Sequence, residues 1–300
     1  MLTIGSRGSA LALWQANWIK GRLEAMGEEC RIEIIKTTGD KIQGVPLAQV
    51  GTKGLFTKEI EEALLGGAVD LAVHSLKDLP TVLPEGLTLA AVPEREDPHD
   101  ALVGRRLQEL TVGARVGTSS LRRSAQLRAL RPDLVVESIR GNVDTRLRKL
   151  DEGQFAAILL AAAGLRRLGW QERIAYRFPP EEMCPAVGQG ALGIETRGDG
   201  GRGHAVCAGL NHVPTEQAVR AERAVLAAMG GGCQVPIGAH AVVEGERLRL
   251  RAIVISPDGT QLFRDEAEGA AGEAQALGEM LARRMLEAGA RRVLELVYGA

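Results

Sequence analysis

Apolar residues recur along the chain in two rhythms that predict strands and helices. Short apolar runs bounded by turn residues are typical of strands, whereas apolar positions three or four residues apart are typical of helices. Strands are predicted at residues 2–6, 31–38, 70–76, 87–92, 114–120, 133–139 and 155–161. Helices are predicted after residue 9 and at residues 56–67, 121–130 and 142–153. Strands and helices that alternate with short connections favour mostly parallel sheets covered by helices.

The two halves of this region resemble each other. "IGSRGSALALWQ" and "VGTSSLRRSAQL" both run from a strand through Gly-Ser or Gly-Thr and small polar residues into a helix. In the first of these helices, Leu11, Trp14 and Trp18 have the spacing of one helix face. The polar segment "PEREDPHD" at 93–100, interrupted by prolines, is predicted to be a linker between the halves. Two similar α/β domains are therefore expected.

The pattern changes after about residue 214. Residues 214–229 and 273–289 have helical periodicity. Between them, "RLRLRAIVIS" and "TQLFRDEAEG" are joined by "PDG", which predicts an antiparallel hairpin. This part of the chain is expected to form a small α+β domain.

The formal net charge of −1 conceals an uneven distribution. Between Arg105 and Arg173 there are 14 Lys or Arg and 7 Asp or Glu, so this segment is cationic and the remainder is acidic. Nucleic acid is one candidate partner for a cationic segment. Aromatic residues make up only 3% of the chain, however, which leaves few stacking platforms for single strands. A small polyanion fits better.

Membrane, secreted and metal-binding proteins are all disfavoured by the sequence. The longest apolar run, at 155–165, is too short to span a bilayer, and the N-terminus lacks a signal-peptide pattern. The four cysteines lie far apart, without the paired spacing of zinc ligands. We therefore expect a cytoplasmic protein with free thiols and no metal.

The richest cluster of candidate ligand-binding residues lies in the second half. In "GTSSLRRSAQLR", hydroxyls and arginines surround a predicted helix N-terminus, where anions bind readily. Further arginines follow the next two predicted strands. The members of this cluster are Thr118, Ser119, Ser120, Arg122, Arg123, Arg140, Arg146, Arg166 and Arg167. Carboxyl ends of strands bind ligands in open α/β sheets, so a ligand with several carboxylates is expected; the alternative is a serine-capped helix with solvated arginines.

The first half supplies a smaller set. Arg7 and Ser9 follow the first predicted strand, and Lys53 lies in "VGTKGLFTKE", which lacks P-loop spacing. In "VHSLKDLP", Lys77 and Asp78 end a buried strand. A carboxylate beside a lysine at a strand end is a candidate for acid–base chemistry. The alternative is a surface ion pair of little energetic value.

Two glycine-rich segments remain. "VGQGALG" at 187–193 matches a dinucleotide-binding pattern but lacks a convincing preceding strand, so we expect it to cross between domains. "GGGCQVPIG" at 230–238 places Cys233 between glycines and a proline. An accessible thiolate there could take on a covalent group, whereas a buried structural thiol is the alternative.

Together these segments resemble the porphobilinogen deaminase (hydroxymethylbilane synthase) family. The resemblance is carried, in order from residue 4 to about residue 240, by "SRGSALALWQA", "PLAQVGTKGLFTKE", "DLAVHSLKDLP", "EREDPHDAL", "GTSSLRRSAQL", "RGNVDTRLRKLDEG", "AGLRRLG", "PAVGQGALGIE" and "GGCQVPIGA". It implies a transferase of haem-type tetrapyrrole biosynthesis. Four porphobilinogen molecules would condense with loss of ammonia and be released by hydrolysis as linear hydroxymethylbilane.

The resemblance also implies an architecture. Two α/β domains similar to type 2 periplasmic binding proteins would be followed by a small C-terminal α+β domain that carries the cofactor-attachment cysteine. The expected domains are 1–95 with about 190–212, 96–189, and 213–300. The chain is expected to act as a monomer, without nucleic acid or membrane.

Individual residues receive roles by the same resemblance. A dipyrromethane cofactor would be joined to Cys233 by a thioether, and Asp78 would be the catalytic acid. The other expected cofactor contacts are Lys77, Asp78, Thr118, Ser119, Ser120, Arg122, Arg123, Arg140, Arg146, Gln189 and Gly190. The expected substrate contacts are Arg7, Ser9, Lys53, Arg140, Arg146, Arg167 and Gln189. Each pyrrole carries an acetate and a propionate, which accounts for the many cations.

Two other classes of function stay open at this point. A non-catalytic two-domain solute-binding protein for a polycarboxylate would need a signal peptide or lipid anchor, and the N-terminus shows neither pattern. A nucleic-acid-binding regulator would bind DNA with steep salt dependence.

Overall fold

The computed structural model describes residues 1–41, 55–231 and 235–298. Its contacts define two compact units. Unit 1 comprises Met1–Glu96 and Ala191–Glu216, and unit 2 comprises Asp97–Gly190 and Gln217–Ala300. The first boundary falls inside the segment predicted to be a linker. The division into three domains stays a prediction.

The secondary structure alternates as the hydrophobic pattern indicates. The strands are β1 (Leu2–Ser6), β2 (Cys30–Ile34), β3 (Leu71–Ser75), β4 (Leu87–Ala91), β5 (Asp100–Gly104), β6 (Arg115–Gly117), β7 (Val135–Glu137), β8 (Ala157–Ala161), β9 (Ile174–Phe178), β10 (Leu192–Arg197), β11 (Ile237–Glu244), β12 (Arg247–Ile255) and β13 (Leu262–Ala270). The α-helices are α1 (Ala10–Ala25), α2 (Thr38–Lys41), α3 (Lys58–Leu65), α4 (Leu121–Leu130), α5 (Val143–Asp151), α6 (Ala162–Arg167), α7 (Arg202–Ala208), α8 (Val213–Ala228), α9 (Ala274–Met285) and α10 (Arg291–Tyr298).

The two units each contain a five-stranded sheet with the same topology. In unit 1 the strand order is β2-β1-β3-β10-β4, and in unit 2 it is β7-β6-β8-β5-β9. The first three strands of each sheet are parallel, and the last two are each antiparallel to their neighbours. Two similar α/β domains are thus confirmed. The expectation of mostly parallel sheets is corrected, because half of the strand pairs in each sheet are antiparallel.

Strands β5 and β10 escaped prediction because each carries a buried charged residue. Asp100 begins β5 inside the presumed linker, and Glu195 lies at the centre of β10. Neither carboxylate is exposed to solvent. A buried acid interrupts the apolar pattern by which a strand is recognised.

Helix α1 buries a different face from the one its tryptophans mark. Ala16, Ile19 and Leu23 are buried against the sheet. Trp14 and Trp18 stack on each other with ring centroids 6.5 Å apart and remain partly exposed. The spacing of the aromatic residues therefore predicted the helix correctly. The tryptophans themselves lie beside the buried face and not within it.

The C-terminal part of unit 2 is a three-stranded antiparallel sheet, ordered β11-β12-β13. The predicted hairpin is β12 and β13, paired along their whole length. Helices α8 and α9 pack on this sheet through a continuous apolar core that includes Val225, Leu250, Leu281 and Val293. The predicted small α+β part is confirmed, with β11 and α10 as elements that the sequence did not indicate.

Candidate active site

Two neighbouring strands of unit 1 end where four of the predicted site residues lie. β1 and β3 are parallel and paired, so their carboxyl ends share one edge of the sheet. Arg7 and Ser9 directly follow β1, and Lys77 and Asp78 directly follow β3. The topology therefore brings these four residues to a common edge of unit 1.

Arg7 and Ser9 are both oriented by local contacts. Ser9 is the N-cap of α1, and its Oγ accepts a hydrogen bond from the Ala12 N–H at 3.3 Å. The guanidinium carbon of Arg7 lies 4.2 Å from the ring centroid of Phe56, a cation–π contact. A cation and a hydroxyl held side by side at a strand end can bind a carboxylate.

Asp78 lies on a short 3-10 turn that is anchored on both sides. Leu76 and Leu79 are buried, and the Leu76 N–H donates to the carbonyl of Ala191 at 3.0 Å. Gly193 leaves room for this turn, because a Cβ at that position would lie 2.9 Å from Leu76 Cδ1. The Asp78 side chain is exposed at the surface of unit 1. Its carboxylate is therefore presented to solvent from a fixed piece of backbone.

A cluster of three buried ionisable residues lies between the sheet of unit 1 and α3. Nε2 of His74 is 3.0 Å from Oε2 of Glu195, and both side chains are buried. Glu61 of α3 is also buried, and burial raises the pKa of its carboxyl, with Glu195 acting in the same direction. Within the described part of the chain, Oε1 of Glu61 and Oε1 of Glu195 have no hydrogen-bond partner.

Glu61→Gln is expected to stabilise the protein at neutral and alkaline pH. Because the pKa of Glu61 is raised in the folded state, ionisation of this carboxyl costs folding free energy as pH rises above the unfolded value of about 4.3. Glutamine keeps the shape without the charge. The melting temperature of Glu61→Gln should exceed that of wild type at pH 8, and the gap should close towards pH 4. Glu62→Gln, one residue along in an exposed pair with Lys58, is the control; an equal gap at both pH values for Glu61→Gln would contradict the expectation.

The same edge of the sheet in unit 2 collects a second group of predicted residues. β6, β7 and β8 are parallel neighbours, so their carboxyl ends share one edge. Thr118, Ser119 and Ser120 follow β6, Arg140 follows β7, and Arg167 lies in α6 after β8. The predicted convergence of hydroxyls and arginines at strand ends is therefore present in unit 2.

The three hydroxyl residues differ in what their oxygens do. Ser120 caps α4 by accepting from the Arg123 N–H, and Thr118 Oγ1 accepts from the Ser120 N–H at 3.2 Å. The Ser119 hydroxyl donates to the carbonyl of Ile139 and lies 3.0 Å from the Ser138 hydroxyl. Ser119 is exposed, whereas Thr118 is buried. These bonds tie the start of α4 to the end of the neighbouring strand.

Arg140 and Arg146 border a glycine turn that only glycine adopts readily. Gly141 has a φ of 114°, and the Arg146 Nε donates to its carbonyl at 2.8 Å. The carbonyl of Arg140 accepts from Lys149 Nζ at 3.2 Å. Arg140 and Arg146 are both half-buried. The turn holds the guanidinium of Arg146 and the backbone of Arg140 near the start of α5.

Arg122 and Arg123 are buried around the carboxylate of Asp100. Arg122 Nη1 is 2.5 Å from Asp100 Oδ2, and Arg123 Nε is 2.7 Å from Asp100 Oδ1. The Gln189 amide donates to the same Oδ1 at 2.9 Å, and its Oε1 accepts from Arg123. Burial alone would raise the pKa of Asp100, but the two guanidiniums hold it well below its usual range. Asp100 is therefore an anion at every ordinary pH.

Residues 188–190, where the chain leaves unit 2 to return to unit 1, are held by side chains of unit 2. Arg167 donates to the carbonyl of Gly190 at 2.7 Å. Glu222 of α8, fully buried, accepts from the Gly188 N–H at 2.7 Å and from the Ala241 N–H at 2.8 Å. Gln189 and Gly190 thus lie in a segment held by side chains on both sides, which agrees with rejecting a dinucleotide-binding loop.

Asp100, Glu195 and Glu222 are residues that sequence reasoning did not single out. A buried charged side chain needs a partner in space. When that partner lies far along the chain, the spacing of residues in the sequence does not identify it. For Asp100, one available signal was an acid placed directly before the apolar run "ALV" in "EREDPHDAL".

Two predicted residues, Lys53 and Cys233, lie outside the described residues. The cysteines that are described, Cys30, Cys184 and Cys207, are all buried. Burial raises the pKa of the Cys184 and Cys207 thiols to about 12, and it raises that of Cys30 as well. These three thiols are protonated at neutral pH and are weak nucleophiles.

Neither a metal centre nor a membrane span was found in the part of the chain that the structure describes. There, no three His, Cys, Asp or Glu side chains are grouped as a metal ion would need. None of the helices searched is both long and apolar enough to cross a bilayer.

Comparison with known proteins gives consistent matches over nearly the whole chain. Residues 2–203 match the family model "Porphobilinogen deaminase, dipyromethane cofactor binding domain", and residues 216–287 match "Porphobilinogen deaminase, C-terminal domain". Porphobilinogen deaminase of Syntrophobacter fumaroxidans is 51% identical over 305 residues, covering 100% of this chain and 99% of that protein. The enzyme of the same name from Pelobacter propionicus is 54% identical over 301 residues, covering 99% and 97%.

Solved structures were matched as well. A periplasmic substrate-binding protein of an ABC transporter from Coxiella burnetii has a TM-score of 0.44 at 13% identity, over 70% of this chain and 92% of that one. A TRAP periplasmic solute binding protein from Desulfovibrio salexigens has a TM-score of 0.41 at 13% identity, over 70% and 72%.

Proposed function

Because the chain belongs to the porphobilinogen deaminase family, we propose how its own residues carry out that family's reaction. The protein is a transferase that joins porphobilinogen units, with loss of ammonia, on a dipyrromethane cofactor. The relatives that match its full length are named as enzymes, so a non-catalytic solute-binding protein is not favoured. The residue assignments that follow are proposals.

Asp78 is the residue to which we assign the chemistry. The observation that supports it is its placement: an exposed carboxylate on a turn fixed by two buried leucines, at the strand edge shared with Arg7 and Lys77. The aminomethyl group of the substrate is protonated at neutral pH, so when its C–N bond breaks, nitrogen leaves with the bonding electrons as neutral ammonia. The pyrrole nitrogen then becomes cationic, and a fixed carboxylate stabilises that developing charge.

Arginines and hydroxyls bind the acetate and propionate groups. In unit 1 this role is assigned to Arg7, Ser9, Lys53 and Lys77, and in unit 2 to Thr118, Ser119, Ser120, Arg123, Arg140, Arg146 and Arg167. Arg122, which was expected from the sequence to share this role, is instead assigned to pair with the buried carboxylate of Asp100. Guanidinium groups have donors in a fork that matches a carboxylate and have no acceptor. Gln189 and Gly190 are assigned to contact the cofactor, and Gln189 also the substrate. Both lie in the segment that Arg167 and Glu222 hold in place.

Cys233 is proposed as the attachment point of the cofactor, which, when bound, supplies the pyrrole carbon on which the chain grows. The donor set of unit 2 suits that group, because arginines and hydroxyls at one strand edge offer only hydrogen-bond donors or neutral acceptors to its carboxylates. The high thiol pKa values of Cys184 and Cys207 support Cys233 as the reactive cysteine. We further propose that the enzyme works as a monomer in the cytoplasm, without nucleic acid or membrane partners; gel filtration with light scattering tests the monomer.

A direct assay tests the function as a whole. Purified protein incubated with porphobilinogen should release ammonia and hydroxymethylbilane in a ratio of four to one, as the condensation requires. Hydroxymethylbilane cyclises without an enzyme and can be followed by the absorbance of the oxidised porphyrin. Substrate binding without ammonia release would favour the solute-binding alternative.

Arg146→Leu should weaken substrate binding while the neighbouring Arg148→Leu should not. Loss of one charge-assisted contact costs about 1.5–3 kcal/mol, or roughly a 10- to 150-fold rise in KM. Arg148 is exposed and forms only an i,i+4 pair with Glu152 at 3.9 Å, which is worth little. Steady-state kinetics and intact mass, which reports cofactor loading, should be measured for both. Equal KM values would argue against a ligand role for Arg146.

A further inference from the structure

The carboxylate of Asp100 is the centre of a buried network in unit 2. None of its side chain is exposed to solvent. Both of its oxygens are used: Oδ2 accepts from Arg122, and Oδ1 accepts from Arg123 Nε and from the Gln189 amide. Asp100 lies in the segment "EREDPHDAL", which carries part of the family resemblance, but no role was assigned to it above. It contacts three residues that were expected to bind the cofactor, Arg122, Arg123 and Gln189.

The two arginines are engaged to different degrees. Arg122 Nη1 donates to Asp100 at 2.5 Å and to the Cys184 carbonyl at 2.6 Å, and its Nη2 donates to Asp100 at 3.2 Å. Two short bonds to internal acceptors therefore hold Nη1 of this guanidinium, and a longer bond holds Nη2. The side chain of Arg122 is 4% exposed and that of Arg123 is 7% exposed, so the two arginines differ in their hydrogen bonds rather than in their burial.

Arg123 contacts Asp100 through its Nε. Its bond from Nε to Asp100 is 2.7 Å, whereas its Nη1 and Nη2 lie 3.3 Å from the Leu159 carbonyl and from Gln189 Oε1. Bonds of 3.3 Å are longer than the usual range for N–H···O and correspondingly weak. The terminal nitrogens of Arg123 can therefore exchange weak internal partners for a carboxylate without loss of the Nε anchor.

The charges of these three side chains also indicate different roles for Arg122 and Arg123. Two guanidiniums and one carboxylate leave a net charge of +1, which matches one incoming carboxylate. Without Asp100, two like charges would be buried side by side, at a cost that folding would have to overcome. Asp100 therefore neutralises Arg122 while it orients Arg123.

We propose that Asp100 is a positioning residue that holds the Arg123 guanidinium and the Gln189 amide in the orientation in which Arg123 binds a pyrrole carboxylate, with Arg122 as its counter-ion. This inference rests on the carboxylate-binding role proposed above for Arg123. Because Asp100 is fully buried and accepts from protein donors at both oxygens, its proposed action on the substrate is through Arg123 and not by direct contact.

Two charge-matched double variants test the proposal. Asp100→Asn/Arg122→Gln and Asp100→Leu/Arg122→Met each remove one negative and one positive charge, so in both variants Arg123 is the member of this trio that keeps its charge. Only the first keeps an oxygen that can accept from Arg123 Nε. If orientation by an acceptor matters, Asp100→Leu/Arg122→Met should have a porphobilinogen KM about tenfold higher than its partner, the loss of one charge-assisted hydrogen bond. Its cofactor-loaded fraction, measured by intact mass, should also be lower, with a smaller change in kcat.

Equal KM values and equal loaded fractions in the two double variants would overturn the proposal. If Asp100→Leu/Arg122→Met fails to fold, as judged by circular dichroism, Asp100→Glu decides. It keeps the charge and moves the oxygens by one methylene, so KM should rise although the fold survives; an unchanged KM would overturn the proposal.

Arg123→Leu separates this inference from its premise. Wild-type KM and cofactor loading in Arg123→Leu would show that the carboxylate role of Arg123 itself fails. An impaired Arg123→Leu together with indistinguishable double variants would leave that role intact and remove only the positioning role of Asp100.

Discussion

Asp78→Asn should add pyrrole units about 10²–10³-fold more slowly than wild type, the usual cost of removing one group that stabilises charge in the transition state. The carboxylate interacts most strongly with the pyrrole nitrogen after ammonia begins to leave, and less with the neutral ring of the bound substrate. Loss of an interaction made mainly in the transition state lowers kcat more than it raises KM. Single-turnover mixing with porphobilinogen, followed by mass spectrometry of the enzyme-bound chain, measures that step directly.

Two further variants make the Asp78 experiment specific. Asp78→Glu keeps the charge but displaces it by one methylene, so it should retain more activity than Asp78→Asn. Glu85→Gln removes one charge from an exposed acid of the same unit and should leave the single-turnover rate unchanged. All three proteins should fold, because Asp78 is exposed and the turn depends on the buried Leu76 and Leu79.

Wild-type rates in Asp78→Asn would place the catalytic acid elsewhere. Asp78 would then be only the electrostatic partner of a neighbour such as Lys77. A raised KM with unchanged kcat would also contradict the assignment, since it would mean that the carboxylate binds substrate and transition state equally well.

The site residues that follow strands could be predicted from the sequence. The buried side chains that hold those residues in place could not. Arg7, Asp78, Thr118 and Arg140 follow runs that were predicted to be strands, so the shared edge follows from the topology of parallel neighbours. The ends of strands follow from the local pattern of apolar and polar residues, and that pattern can be read from one sequence.

The supporting side chains depend on long-range contacts. Glu195 contacts His74, which lies 121 residues earlier in the sequence, and Gln189 donates to Asp100, which lies 89 residues earlier. A charged residue that begins a strand, such as Asp100, or lies within one, such as Glu195, interrupts the apolar pattern by which a strand is recognised. The antiparallel strands β5 and β10 were lost to prediction on this account.

The same contrast separates Arg122 from Arg123. By sequence they are adjacent and equivalent, and both match a family motif. By structure, Nη1 of Arg122 has two short bonds to internal acceptors, whereas Nη1 and Nη2 of Arg123 lie 3.3 Å from the Leu159 carbonyl and from Gln189 Oε1. Helical geometry turns consecutive residues about 100° apart, so neighbours in a motif need not share a role.

Cys233→Ser should abolish activity and leave a protein whose mass under denaturing conditions equals that of the bare polypeptide. Wild-type protein should exceed its sequence mass by two porphobilinogens less two ammonias. Denaturing conditions matter, because a cofactor held only by arginines would dissociate, whereas a thioether persists. A serine hydroxyl is far less nucleophilic than a thiolate and should not form the bond.

Cys30→Ala is the matched control for the attachment site. Cys30 is buried in β2 with a raised thiol pKa, so its removal should leave the added mass in place even if the protein loses some stability. If the added mass persists in Cys233→Ser, another residue carries the cofactor. If wild-type protein shows no added mass yet turns over porphobilinogen, the covalent link itself is wrong. The predicted pattern, in which the mass follows Cys233 and not Cys30, would show that accessibility and thiolate character choose the sulfur that the cofactor uses.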